Sequence, residues 1–275
     1  MSSERLPDAG TLPSLPYVSH EILLVLNERE VHVGRVAESV NRDPALTARL
    51  VSMANSAFFH GQTPIYSVAE AIMRLGMNRV RVMAASIVLS QQLDSGRCPS
   101  FDAPGYWYQA MATAHTSGQL ARYLPIETGT ESAHLLGLMH SIGVLLMVHA
   151  FPRDMDAVLR CLRREPDQEP QHLERRQLGF DRYTAGAMLL QEWGLPDVIS
   201  EAVRALPDTR PGADGNWTLA HLLQGSMQWV ERDFGELPPI LEHPERLPEG
   251  LVNTLRTGCL REQKLLRSMA SLLAQ

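Results

Sequence analysis

The stretch LLGLMHSIGVLLM at residues 135–147 constrains the fold of this chain more than any other. Leu135, Leu136, Leu138, Met139, Ile142, Leu145 and Leu146 cover most of the circumference of a helix, so a helix here has no face left for water and must be enclosed by other elements. His140 and Ser141 interrupt the run, which falls short of the roughly 20 apolar residues that a bilayer span needs. The expectation is one core helix over about 131–149, with Gly137 and Gly143 as points where neighbouring helices come close. His140 is expected to satisfy itself against a neighbouring helix, and Ser141 to bond back to the backbone.

A buried helix needs partners, and the rest of the chain supplies them as helices. Asp43-Pro44 is an N-cap followed by proline at the first helical position. Ser67 and Glu70 have capping-box spacing, and Gly76 is placed to end that helix and let another begin near Met77. Further helices are predicted at about 106–124, 153–164, 180–193, 196–206 and 217–233. Strand alternation is nearly absent, so the fold class is all-α. The segments PDTRPGADG (207–215) and GELPPILEHPERLPEG (235–250) read as punctuation. Beyond them Leu251, Leu255, Leu265, Met269 and Leu272 recur at mostly helical spacing, as a stripe expected to pack on the body, with a face offered to a partner as the alternative.

Charge and cysteine usage exclude several classes. The net charge is −6, which gives no basic field for phosphate backbones or anionic lipid, so neither DNA nor a membrane is an expected partner. Lys264 is the one lysine; the arginine excess reads as codon bias. Cys98, Cys161 and Cys259 have no C-x-x-C spacing and form neither a zinc knuckle nor a disulfide framework. With MSSERLPDAG lacking an export pattern, the expectation is a soluble cytoplasmic protein.

Three groups of residues invite a functional reading. The helix pair at 33–57 has the outline of a helix-turn-helix, but Ala45, Leu46, Thr47 and Ala48 offer little to read base edges, and residues 1–100 carry nine basic and nine acidic side chains. It is read as a structural hairpin. Arg74, Arg79 and Arg81 cluster in sequence, yet Arg79 and Arg81 point about 200° apart on a helix and are read as a solvated face, with anion binding as the alternative. On a continuous helix His134 and His140 point about 120° apart and His140 and His149 about 180° apart, while His134 and His149 are separated by roughly 22 Å of rise, so no two of them share a metal ion.

The order of these features resembles the HDOD family, the HD-related output domain of bacterial signalling proteins. The matching residues are LPSLP at 12–16, NRDPALTARLVSMANSAFF at 41–59, IYSVAEAIMRLGMNRVR at 65–81, Trp107 with Ala114, LLGLMHSIGVLLM at 135–147, and LGFDRYTAGAMLLQEWGLPDVISEAV at 178–203. The resemblance implies a flexible N-terminus (1–10), an N-terminal helical subdomain (11–105), an HD-like subdomain (106–206) and a C-terminal extension (207–275). The family is an offshoot of metal-dependent HD phosphohydrolases. Carried over residue by residue, their His-Asp pair falls on His140 and Ser141, an earlier histidine on Gln109, a later one on Arg182, and a closing histidine pair on Ala205 and Leu206.

Serine, glutamine and arginine do not hold a dication, so these four positions, Gln109, His140, Ser141 and Arg182, read as a degenerate site with no cofactor. The implied function is a non-enzymatic bacterial regulatory domain acting on signalling proteins through contacts or conformational change. One alternative is a divergent phosphohydrolase with ligands drawn from His115, His134 or Asp181. Another is a nucleotide sensor in which Arg182 replaces the positive charge of the metal.

Overall fold

Short polar side chains start several of the helices. Asp43 Oδ1 accepts from the backbone N–H groups of Ala45 and Leu46 (both 3.0 Å), Asp102 Oδ1 from Gly105 (3.0 Å) and Asp181 Oδ1 from Thr184 (2.8 Å). Each satisfies first-turn donors that have no partner inside the helix. Ser67 does the same for Glu70 N (3.2 Å), but the return bond differs from a capping box: Glu70 accepts from Tyr66 N, one residue before the cap (2.8 Å).

The computed structural model describes residues 12–274 apart from 29, 57–58, 60–62, 125, 127–131, 210–216, 239–240, 242–246 and 248. The predicted N-terminal segment 1–10 and the parts of the two punctuation segments at 210–215, 239–240, 242–246 and 248 lie outside the described residues. The chain runs through α1 (Tyr17–Asn27), α2 (Val33–Asn41), α3 (Pro44–Ala54), α4 (Val68–Leu75), α5 (Met77–Gln92), α6 (Ala103–Leu120), α7 (Ala133–Met139), α8 (Ile142–Ala150), α9 (Pro152–Arg164), α10 (Pro170–Leu178), α11 (Arg182–Glu192), α12 (Asp197–Ala205), α13 (Leu219–Glu231) and α14 (Glu249–Leu273). There is no β-strand among the described residues, and the fold is all-α as its sequence predicts.

The first five helices form one group, with α3 against α5 and α2 against both α3 and α4. Asn55 ties the end of α3 to the approach to α4: its amide donates to Ile65 O (2.7 Å) and its carbonyl accepts from Ile65 N (2.9 Å). The helix pair predicted at 33–57 is present as α2 and α3, which pack on each other. In the second group α6 is the hub, packed against α7, α13 and α14, while α8 packs on α11 and α11 on α12. The N-terminal LPSLP segment reaches across to this group, where Pro13 O accepts from Trp193 Nε1 (2.7 Å).

The predicted core helix over 131–149 is two helices, α7 and α8, broken at His140 and Ser141. The ring of His140 occupies the carbonyl of Gly137 at 2.7 Å, the acceptor that Ser141 N would use in an unbroken helix, and the second helix starts with Val144 N on Ser141 O (2.9 Å). Angles drawn for a continuous helix therefore do not apply to His134, His140 and His149. The apolar segment Ala133–Ala150 is 78% buried, as core helices are. Gly143 is a point of close approach: a Cβ there would lie 1.9 Å from Arg182 O and 2.6 Å from Gly186 N, so α8 and α11 meet backbone to backbone. Gly137 meets α6 in the same way, with Ala114 Cα 2.6 Å from where its Cβ would be.

The C-terminal segment packs on the body, but along a different seam from the predicted stripe. Leu255, Cys259, Leu266, Met269, Ala270 and Leu273 are buried, whereas Leu251, Leu265 and Leu272 are only partly covered. The small residues Cys259 and Ala270 lie in the seam because α14 runs close to the alanine-rich α6. A count of leucines does not reveal this. Two helices escape sequence analysis: α1 begins at Pro16 with no side-chain cap, and α10 has only Leu173 and Leu178 to mark an apolar face.

Candidate functional site

Gln109, His140, Ser141 and Arg182, far apart in sequence, line one cavity of about 210 Å³. α6 brings Gln109, the break between α7 and α8 brings His140 and Ser141, and α11 opens with Arg182. The α8–α11 contact at Gly143 is what holds the last three together.

His140 is 6% exposed. Gly137 O can only accept, so the ring donates through Nδ1, and in the neutral imidazole the lone pair is on Nε2. Burial pushes its pKa down to about 4, the bond to Gly137 opposes this and the Arg182 charge adds to it, so the ring is neutral at physiological pH. The bond goes to its own helix and not, as its sequence suggested, to a neighbouring one. Ser141 departs from expectation as well. Its hydroxyl is buried and does not bond back to the backbone; it lies beside the Tyr106 hydroxyl, whose pKa it lowers against the effect of burial.

Arg182 is committed to a partner that sequence analysis missed. Its Nε and Nη2 donate to Glu174 Oε1 (2.8 and 2.5 Å) and its backbone N–H to Glu174 Oε2 (3.0 Å). Glu174 is fully buried and the Arg182 side chain 23% exposed. Asp181 is committed too, capping α11 through Oδ1 and pairing with Arg175 through Oδ2.

The other lining residues were missed with differing excuse. Tyr106 and Thr113 lie three residues before and four after Gln109 on α6, so they share its face and were within reach of helical spacing. Tyr183 follows Arg182 directly. Glu231 comes from α13, beyond the segment that carries the resemblance, and nothing in the sequence marks it. Burial raises the pKa of Glu231, opposed by Arg182 and Arg232, and raises those of Tyr106 and Tyr183.

His115 and His134 lie elsewhere, in a cavity of about 400 Å³ between α5, α6, α7 and α14. Burial lowers the pKa of both, that of His134 to about 4. Arg79 lines the same cavity and holds Glu262 of α14 through Nε (2.8 Å) and Nη2 (2.5 Å). Arg81 donates to Glu28 O (2.6 Å) and Arg74 to Thr63 O. Arg79 and Arg81 are thus tertiary ties, partly buried, and not the solvated face expected of them; helical angles say where two residues diverge but not what each meets. His149 is remote from both cavities, accepting from Asp94 N at 3.0 Å.

The HDOD domain family model matches residues 12–208. A solved structure from Marinobacter aquaeolei VT8, assigned provisionally to signal transduction, is 28% identical with a TM-score of 0.78, covering 100% of this chain and 62% of its own. One from Shewanella amazonensis SB2B, assigned provisionally as a phosphohydrolase, is 24% identical with a TM-score of 0.72, covering 99% and 98%, and supports the fold alone. An uncharacterised protein of Treponema pallidum (strain Nichols) is 24% identical over 202 residues, which is 74% of this chain and 38% of that one. This chain therefore spans less than two thirds of the Marinobacter and Treponema proteins.

The resemblance to metal-dependent HD enzymes asks whether the cavity suits a divalent ion. Its lining offers His140 and Glu231 as ligand-type side chains, with the guanidinium of Arg182 beside them. Among the described residues no group of three His, Cys, Asp or Glu side chains is placed to hold a metal ion. Two donors next to a fixed positive charge do not fit a dication.

Proposed function

This chain belongs to the HDOD domain family, and on that premise we propose that it is a non-enzymatic regulatory module that acts on signalling proteins by contact. The observation that carries this reading is the state of the four residues at the former metal position. His140 is neutral and bonded to its own backbone, Ser141 stands where a carboxylate would be needed, Gln109 is an amide, and Arg182 is paired with a buried glutamate. A metal-dependent hydrolase needs anionic ligands that hold a dication, and the dication must lower the pKa of a bound water. None of the four supplies an anion.

The three cysteines are free, which suits a reducing cytoplasm. The alternative phosphohydrolase reading draws on His115, His134 and Asp181, which are divided between another cavity and a helix cap.

The test is metal analysis of protein purified without chelators, together with assays on bis-(p-nitrophenyl) phosphate and cyclic dinucleotides with added Mn²⁺ or Fe²⁺. The expected result is substoichiometric metal and no hydrolysis above buffer. One equivalent of bound metal with turnover that Glu231→Gln removes would overturn the reading.

A further inference from the structure

The cavity of about 400 Å³ lies where the two helical groups meet, with α5 of the first on one side, α6 and α7 of the second on the other, and α14 along it. Its size falls within the roughly 300–1,000 Å³ of small-molecule sites, which favour such junctions. None of Gln109, His140, Ser141 and Arg182 lines it, so a ligand here is independent of the regulatory reading.

Two histidines face this space with their hydrogen-bonding capacity unused. Neither His115 nor His134 makes a hydrogen bond among the described residues, and none of their ring nitrogens is shut away from the cavity they line. A Cβ at Gly118 would collide with the His134 ring, so α6 carries a glycine where that ring needs room. Burial keeps both rings neutral at physiological pH, and a neutral imidazole offers one N–H and one lone pair.

The charges around the two rings are unbalanced. Glu262 is the acid of the lining, and Arg79 takes both of its carboxylate oxygens. Arg81 bonds to a carbonyl, Glu28 O, while the Glu28 carboxylate pairs with Arg35. Arg81 and Arg122 both act on His134, with no acid among the described residues to offset them. An anion in the cavity would lie in this positive field and accept from the imidazole N–H groups, whereas an ammonium would meet the wrong sign and a carboxylate already taken. The rest of the wall is mainly apolar, with Leu75, Val82, Met111, Leu266 and Met269, and methionines adapt to an irregular chain. A phosphate dianion calls for charged donors, but two neutral imidazoles match the two oxygens of a carboxylate.

We propose that this cavity binds a small carboxylate with an apolar chain, its carboxylate accepting from the N–H groups of His115 and His134 and its chain lying along Val82, Met111 and Met269. Such a ligand touches both helical groups and α14 at once, which couples its binding to the way they pack.

The experiment titrates the full chain by calorimetry with octanoate and decanoate, and with octanamide, octylammonium and octyl phosphate as neutral, cationic and phosphate counterparts. At least one carboxylate is expected to bind saturably and raise Tm, with the amide and the ammonium at least tenfold weaker. In NMR of carbon-labelled histidine, the ring signals of His115 and His134 are expected to move with the same Kd while that of His140 stays. His115→Phe and His134→Phe, which keep a ring and remove the N–H, are each expected to weaken binding tenfold or more.

No saturable binding by either carboxylate, an amide or ammonium that binds as tightly, or an octyl phosphate that binds more tightly would each overturn the proposal. So would ring signals of His115 and His134 that do not move, movement at His140 in their place, or an unchanged Kd in both phenylalanine variants. If a variant does not fold, the NMR titration of the parent decides, since it reads the contact without a substitution. Stoichiometric metal at His140 would remove the regulatory reading and leave this inference standing.

Discussion

Replacing Gly143 by alanine adds one methyl group where α8 crosses α11. That methyl carbon would stand 1.9 Å from Arg182 O and 2.6 Å from Gly186 N, where real Cβ contacts essentially never fall under 3.0 Å. Both opposing atoms are backbone, so no side chain can swing aside, and the two helices must part by about 1 Å or more in a close-packed interior. Overpacking of this kind costs ~3 kcal/mol, at the top of the usual range, and the better helix propensity of alanine returns ~1 kcal/mol. The net loss of ~2 kcal/mol corresponds to a fall in Tm of ~4–8 °C for a chain of this size. The same substitution at Gly258, on α14, meets nothing within 4 Å and should gain ~1 kcal/mol, a rise of ~2–4 °C. Thermal and urea unfolding of both variants, followed by circular dichroism at 222 nm, measures the contrast. If the two variants shift in the same direction, or Gly143→Ala is as stable as the parent, the backbone contact between α8 and α11 is not what holds the site together.

Glu174→Ala leaves Arg182 partly buried without its counter-charge and should cost ~3 kcal/mol, while the double variant Glu174→Met/Arg182→Met should recover most of that; chemical denaturation of all three gives the coupling. The pKa of His140 is lowered from 6.5 to about 4 in the fold, so the unfolded chain takes up a proton first as pH falls. Its contribution, up to ~3 kcal/mol, is complete above about pH 6.5 and lost as pH drops towards 4. His134 acts in the same direction, so His140→Gln should flatten the stability–pH slope over that window without abolishing it, and an NMR titration should find His140 neutral at pH 5. Burial raises the thiol pKa of Cys98, and that of Cys259 to about 11, whereas Cys161 is partly exposed. Iodoacetamide should therefore modify Cys161 in the folded protein and reach the other two only on unfolding, as counted by mass spectrometry.

Much of the architecture is written locally. Asp43, Ser67 and the apolar run at 135–147 announce helices because capping and apolar periodicity act over a few residues, and these short-range signals suffice for the all-α class and most helix positions. That Gln109, His140, Ser141 and Arg182 come together was equally legible, since they occupy motif positions of the resemblance, and they line one cavity.

What each of those side chains does was decided only in three dimensions. Glu174 lies on a helix with almost no apolar signature, yet it is the buried partner that holds Arg182 at the wall of the cavity. The break at His140 follows from a ring that competes for a backbone carbonyl, a contest that periodicity does not register. Glu231 and Glu262 arrive from α13 and α14, at separations that no local spacing rule spans. Caps and periods are set by neighbours along the chain, whereas partners for buried charge are set by neighbours across the packed interior, and only the folded chain brings those together.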